Sequence, residues 1–396
     1  LIEFTHMVMG PAVGAILVEL GADVVKVEPV EGDATRELVG SGAGYFPMYN
    51  RTKKSVCLNL KVPRGLEVAR KLIAGADVLV ENFRSGTMDK LGLGYETLAK
   101  DNPRLIYCSE KGFLSGPYER RTALDEVAQM MGGLAYMTGP PGRPLRAGAS
   151  VIDVTGGMFG VIGILAALEQ RHRTGRGQKV SSSLFETTVY LVGQHMAQKA
   201  VTGQAARPMP VRVSAWAIYD VFDTRDGQQI FVGVVSDALW ATFCKAFALE
   251  DLGLNPEYRT NSQRVRSREV LLPSVRELFK QFDRSELIDI LEQAGIPFAP
   301  INRPEDMFDD PHLLASEGLG SVVLTDGTHT KLPNLPLEMS GRRPTRGGTL
   351  PRAGEDTVKL LAGAGLSPDE IAALAKEGVV GIASSADPKE GPTRDT

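Results

Sequence analysis

The first hundred residues alternate between short β-branched runs and amphipathic stretches that open on proline and stop on glycine, which restricts the fold more than any other feature. Residues 11 to 28 read Pro-Ala-Val-Gly-Ala-Ile-Leu-Val-Glu-Leu-Gly-Ala-Asp-Val-Val-Lys-Val-Glu. Proline at a helix start, apolar helical spacing, a glycine stop at Gly21 and a β-branched run define one helix–strand unit. Pro63 to Ala74 predicts another helix, with strands at 77–81 and 105–109. Strands alternating with helices imply an α/β fold with a doubly wound parallel sheet. No GxGxxG follows these strands, so no nicotinamide or flavin cofactor is indicated.

The alternation ends near residue 200. A Gly/Pro/Arg linker at 203–210 precedes a hairpin at 215–235 with its turn at Asp226-Gly227, and helical segments follow at 237–248, 266–282 and 284–294. This predicts a smaller α+β domain over 211–315, after a large α/β part over 1–200. Beyond Asp310-Pro311 the chain reads as proline-rich and irregular (Pro333, Pro336, Pro344, Pro351), then as two helices at 354–363 and 368–377. The polar stretch 383–396 is expected to be a disordered tail.

Composition narrows the function classes. With 396 residues, 43% of them hydrophobic, the chain can bury more than one core. A formal charge of -4 supplies no global basic field, so neither nucleic acid nor an anionic membrane is an expected partner, and any anion site must be local. The cysteines Cys57, Cys108 and Cys244 are an odd number and far apart, which suits free thiols in a reducing compartment. No metal-ligand spacing is present, and no metal is expected. The most apolar run, Met158–Leu168, is 11 residues long against the ~20 that span a bilayer. With no signal peptide visible at the start of the sequence, a cytoplasmic location is expected.

Two stretches could carry chemistry. Between Asn50 and Arg64 lie five cations (Arg51, Lys53, Lys54, Lys61, Arg64) and no carboxylate, while Arg36 and Arg84 each follow a strand. Basic loops at strand ends suit a polyphosphate ligand, although a solvated loop explains the charges equally well. The second stretch is Gly148 to Gly160, with Asp153 ahead of Gly156, Gly157, Gly160 and Gly163. Small residues on one helical face admit a close neighbour, and an aspartate at a helix start is ordinarily a cap. No serine or cysteine sits in a nucleophile elbow, so a triad hydrolase is not supported.

Taken in order, these motifs resemble the class III (CaiB/BaiF) CoA-transferase family. They are Gly10-Pro11, Leu20 to Glu28 with Gly32-Asp33 and Arg36, Asn50 to Ser55, Glu81-Asn82-Phe83, Leu91 to Tyr95, Asp125 with Val127-Ala128-Gln129, Asp153, Arg173 to Gln178, Gly295-Ile296-Pro297 and Asp310-Pro311-His312. The resemblance implies a large domain built from both termini, with 325–380 returning to it, a small middle domain, and an interlocked homodimer. It implies coenzyme A as substrate with no tightly bound cofactor. His6, Arg36, Lys54, Asn82, Phe83 and Arg84 then correspond to CoA contacts, Asp125 to an acidic partner and Asp153 to the nucleophile. The implied reaction moves CoA from an acyl-CoA donor to a carboxylic acid acceptor through an aspartyl-CoA thioester on Asp153.

Departures from the family pattern narrow this. Val8 and the segment Gly233 to Asp237 replace the glutamine and glycine run of formate/oxalate members, so an oxalate or formyl-CoA substrate is not expected. Leu124 stands where α-methylacyl-CoA racemases carry a histidine, which weakens a two-base racemase or epimerase as the alternative. A CoA-binding protein without catalysis is the other alternative. Arg121 or Arg146 could pair a distal substrate carboxylate.

Overall fold

Both faces of the N-terminal strands are apolar enough to be covered, and both are. The computed structural model describes residues 1–212, 214–344 and 347–383, so the predicted tail from residue 384 onward lies outside the described residues. Six parallel strands, β1 (Ile2–Phe4), β2 (Val25–Glu28), β3 (Lys54–Leu58), β4 (Val78–Glu81), β5 (Ile106–Lys111) and β6 (Lys179–Ser183), lie in the order β3-β2-β1-β4-β5-β6. A two-residue strand, Val380–Gly381, adds antiparallel to β3 at the sheet edge. In this order the winding reverses between β1 and β4. That crevice is where open α/β sheets bind ligands, outside the carboxyl ends of the strands.

Helices follow the strands in turn: α1 (Met9–Glu19), α2 (Tyr45–Asn50), α3 (Pro63–Ala74), α4 (Thr87–Lys90), α5 (Tyr95–Asp101), α6 (Asp125–Met131), α7 (Leu134–Thr138), α8 (Val151–Thr174), α9 (Leu184–Leu191) and α10 (Gly193–Thr202). On one sheet face Ile2, Phe4, Leu58, Leu79 and Tyr107 pack with α3, α5 and the helices Thr357–Gly363 and Pro368–Lys376. On the other, Val80, Ile106 and Cys108 pack under α1 and α8. All three cysteines are buried and free.

Helix α8 is longer than its apolar run suggested, at 24 residues, and by length and composition it could cross a membrane. Its glycines explain how it instead lies close over the sheet and α1. A Cβ on Gly157 would stand 2.8 Å from the Met9 carbonyl oxygen, and one on Gly160 2.0 Å from a carboxyl oxygen of Glu110.

Glu110 is buried at the end of β5, with Cys108 Sγ donating to Oε1 at 3.2 Å and Oε2 left without a partner. Burial pushes its carboxyl up to about 8. A raised native pKa means the folded chain holds a proton that the unfolded chain releases above its ordinary acid range. Stability is therefore full below that range and falls as pH rises toward about 8. Glu110→Gln should remove this loss, which is on the order of a few kcal/mol. Melting curves should show little difference from wild type at acid pH and a higher Tm for the variant at alkaline pH; a pH-independent difference would contradict this.

The chain divides into two compact units, Leu1–Pro210 with the described residues from Pro311 onward, and Val211–Asp310. In the latter, β7 (Ile218–Asp223), β8 (Gln229–Val234) and β9 (Phe298–Pro300) form an antiparallel sheet around the predicted Asp-Gly turn. Phe222, Ile230, Val232, Trp240, Phe243 and Phe279 fill its core. The proline-rich segment expected to be irregular instead holds a three-stranded sheet of β10 (Leu319–Val323), β11 (His329–Pro333) and β12 (Gly348–Thr349). Phe46 of α2 is buried against Val322 and Leu350 there.

Candidate active site

The ends of β1 and β4 are tied to each other at the switch point. The His6 amide donates to Asn82 Oδ1 (3.1 Å), and Asn82 Nδ2 donates to the His6 carbonyl (2.8 Å). The His6 and Phe83 rings lie 5.9 Å apart. Lys111, reaching across from β5, donates to Glu81 Oε2 at 2.8 Å and to the Phe83 carbonyl at 2.6 Å, which fixes the loop carrying Asn82, Phe83 and the exposed Arg84. Four predicted positions therefore share one sheet edge.

A buried polar layer supports this edge from the α1 side. Lys26 donates to the Thr5 carbonyl at 2.7 Å and pairs with Asp33 at 2.8 Å. Lys53 pairs with Glu3 at 2.7 Å, both side chains being fully buried, and also donates to the Pro11 carbonyl at 2.9 Å and Asn50 Oδ1 at 3.2 Å. The Cβ of any side chain at position 14 would fall 1.9 Å from Glu3 Oε2, so only glycine leaves room for this pair under α1.

Two of the expected CoA contacts have partners within the protein. Lys54 begins β3 opposite Val25, at the strand-entry edge away from His6 and Asn82, and pairs with Asp23 at 2.7 Å. Arg36 is also spoken for. Its guanidinium donates to both Glu28 oxygens (2.8 and 2.7 Å) and to the Pro351 carbonyl (2.8 Å), and lies 3.9 Å over the Phe46 ring. Most of the basic run is likewise paired internally, Arg51 to Glu19 and Arg64 to Glu377. Lys61 remains exposed beyond the end of β3.

Asp153 lies in the first turn of α8 but does not cap it. The cap comes from Asp125 at the start of α6. Its Oδ2 accepts the amides of Ile152 (2.8 Å) and Asp153 (3.1 Å), and Oδ1 accepts from Gln129. Gln129 Oε1 in turn accepts the Ala147 amide at 2.8 Å. Asp125 is thus 4% exposed with both oxygens engaged. The half-buried Asp153 carboxylate makes no hydrogen bond or ion pair among the described residues.

An aspartate at a helix start faces the positive end of the helix dipole, which favours its ionised form. Here burial, followed by the charges of Asp125 and Glu126, pushes its carboxyl up to about 7, and Arg146 opposes them. Tyr49 on α2, which sequence reasoning did not single out, is a half-buried phenol that feels the charge of Asp153. Burial, and after it that charge, raise its pKa. The one signal for it was an aromatic directly before Asn50-Arg51. The arrangement can therefore present an uncommitted carboxylate, held by a rigid capped helix, to an acyl group.

The model of CoA-transferase family III matches residues 1–357. The chain is 34% identical to a succinyl-CoA:mesaconate CoA-transferase of Haloarcula marismortui, over 92% of this chain and 95% of that protein. It is 35% identical to a succinyl-CoA:glutarate CoA-transferase of Homo sapiens, over 79% and 73%. A solved CaiB/BaiF family protein of Brucella suis is similar with a TM-score of 0.80 at 32% identity, over 92% of this chain and 97% of that one.

Proposed function

Because this chain belongs to CoA-transferase family III, we propose that it transfers coenzyme A between carboxylic acids with Asp153 as the covalent nucleophile. The observation that carries this is the contrast between two neighbouring carboxylates. Asp125, at the start of α6, is consumed as the cap of α8, whereas Asp153, in the first turn of α8, keeps both oxygens free among the described residues.

The Asp153 carboxylate attacks the thioester carbonyl of the donor, forming a mixed anhydride and expelling CoA thiolate. The thiolate then attacks the Asp153 carbonyl, so that the aspartyl-CoA thioester forms and the donor acid leaves as a carboxylate. The acceptor carboxylate attacks that thioester, and the thiolate released again attacks the acceptor side of the new anhydride. Acyl-CoA product departs, and Asp153 returns as a carboxylate. Each intermediate conserves group-transfer potential, so no ATP is consumed.

His6, Asn82, Phe83 and Arg84 supply the CoA-binding edge, with Arg84 the exposed cation for a phosphate. Racemisation fits poorly. The position before Asp125 is the apolar, exposed Leu124, and Asp125 itself has no free oxygen for proton transfer. A second copy of the chain is supported by apolar side chains facing outward on α8 (Met158, Ile162, Leu165), α9 (Tyr190) and α10 (Met196). They suit the interlocked homodimer that the resemblance implies.

The named relatives use succinyl-CoA with mesaconate or glutarate, and we assign dicarboxylates to this chain on that basis. With succinyl-CoA as donor, C4 and C5 dicarboxylates should support transfer at least about tenfold better in kcat/KM than monocarboxylates of the same length, which is about 1.4 kcal/mol of transition-state binding. Equal rates with both classes would overturn the substrate assignment.

A further inference from the structure

Three carboxylates converge where the first turns of α6 and α8 meet: Asp125, Glu126 and Asp153. One cation reaches them among the described residues. Arg146, on the loop leading into α8, pairs with Glu126 and stands 3.9 Å from Asp125 Oδ1, while its Nε donates to the Ala147 carbonyl at 3.0 Å. That last bond links Arg146 to the Ala147–Gln129–Asp125 chain that caps α8. The guanidinium is thereby held beside Asp125 and Glu126, a third of its side chain exposed.

We propose that Arg146 is a positioning residue of the transferase reaction, the charge that lets Asp153 remain an anion beside two other carboxylates. The inference rests on Asp153 being the nucleophile. Only the ionised carboxylate attacks, and like charges a few ångströms apart oppose ionisation unless a cation compensates. From α6 the groups facing Asp153 are Asp125 and Glu126, both negative. From α2 it is Tyr49, a neutral phenol, and from the α8 approach loop it is Arg146. Asp125 is engaged through both oxygens, Oδ2 by the two amides that cap α8 and Oδ1 by Gln129. Arg146 therefore serves charge and geometry together.

The test is the pH dependence of single-turnover aspartyl-adduct formation with succinyl-CoA, in wild type, Arg146→Gln, Arg146→Lys and Glu126→Gln. The account expects the acid limb to move up by about one pH unit in Arg146→Gln, a rate about tenfold lower at pH 6 that approaches wild type at high pH. Lysine should restore most of the shift. Glu126→Gln, at a half-exposed position that tolerates the change, should move the limb the other way. An unmoved limb in both Arg146→Gln and Glu126→Gln, with adduct still forming on wild-type Asp153, overturns the role of Arg146 alone. If Arg146→Gln fails to fold, the direction of the Glu126→Gln shift decides. Absence of any adduct on wild-type Asp153 overturns the nucleophile assignment and this inference with it.

Discussion

Asp153→Asn should lower transfer turnover by roughly a thousandfold or more while leaving the melting temperature close to that of the wild type. An amide has no anionic oxygen, so neither anhydride nor thioester can form, and removal of a nucleophile commonly costs three or more orders of magnitude. The fold should not notice, because the Asp153 side chain bonds to nothing among the described residues and pays desolvation where it stands. Steady-state kinetics beside a thermal melt separates the two effects. Loss of activity with loss of folding would point to a structural aspartate instead.

Glu3→Gln should be the most damaging substitution for stability, at about 3–5 kcal/mol in urea unfolding at neutral pH. Among the described residues its carboxylate is the only one paired with Lys53, and both groups are fully buried under α1. Burial already draws Lys53 down to about 8, with Glu3 the main influence in the other direction. Without Glu3 the native pKa of Lys53 must fall further, so the unfolded chain binds the extra proton over a wider range below the ordinary lysine value. The deficit should accordingly be smallest above about 8, where Lys53 is neutral in both folded proteins, and grow as pH falls below that value. A deficit that stays constant with pH would mean lost packing, not an uncompensated charge.

Where local chemistry decides an element, the sequence alone located it. Helix α3 runs from Pro63 to Ala74 as expected, because proline supplies its first residue and Gly75 its stop. The Asp226-Gly227 turn joins β7 to β8 for the same local reason. Elements that exist only through distant pairing were not legible. The strand Val380–Gly381 is two residues long and forms because β3 offers it an edge, and β12 likewise leans on β10.

Charges were read least well. A lysine looks the same in sequence whether it is free or paired, and the partners of Lys53, Lys54 and Arg64 lie 50, 31 and 313 residues away. This is why a run that resembled a phosphate cradle is mostly internal ion pairing. The same distance effect hid the cap of α8. Spacing assigned that role to Asp153, whereas Asp125, 28 residues earlier, performs it and leaves Asp153 uncommitted. The family resemblance singled out Asp153 for a reason that local pattern could not supply.

The most direct measurement is peptide mass spectrometry after incubating the enzyme with succinyl-CoA alone and quenching with hydroxylamine or borohydride. The account predicts a hydroxamate or a reduced alcohol at Asp153, absent when the donor is omitted. An enzyme that transfers CoA at full rate with Asp153 unmodified, or with the label on another residue, would contradict it.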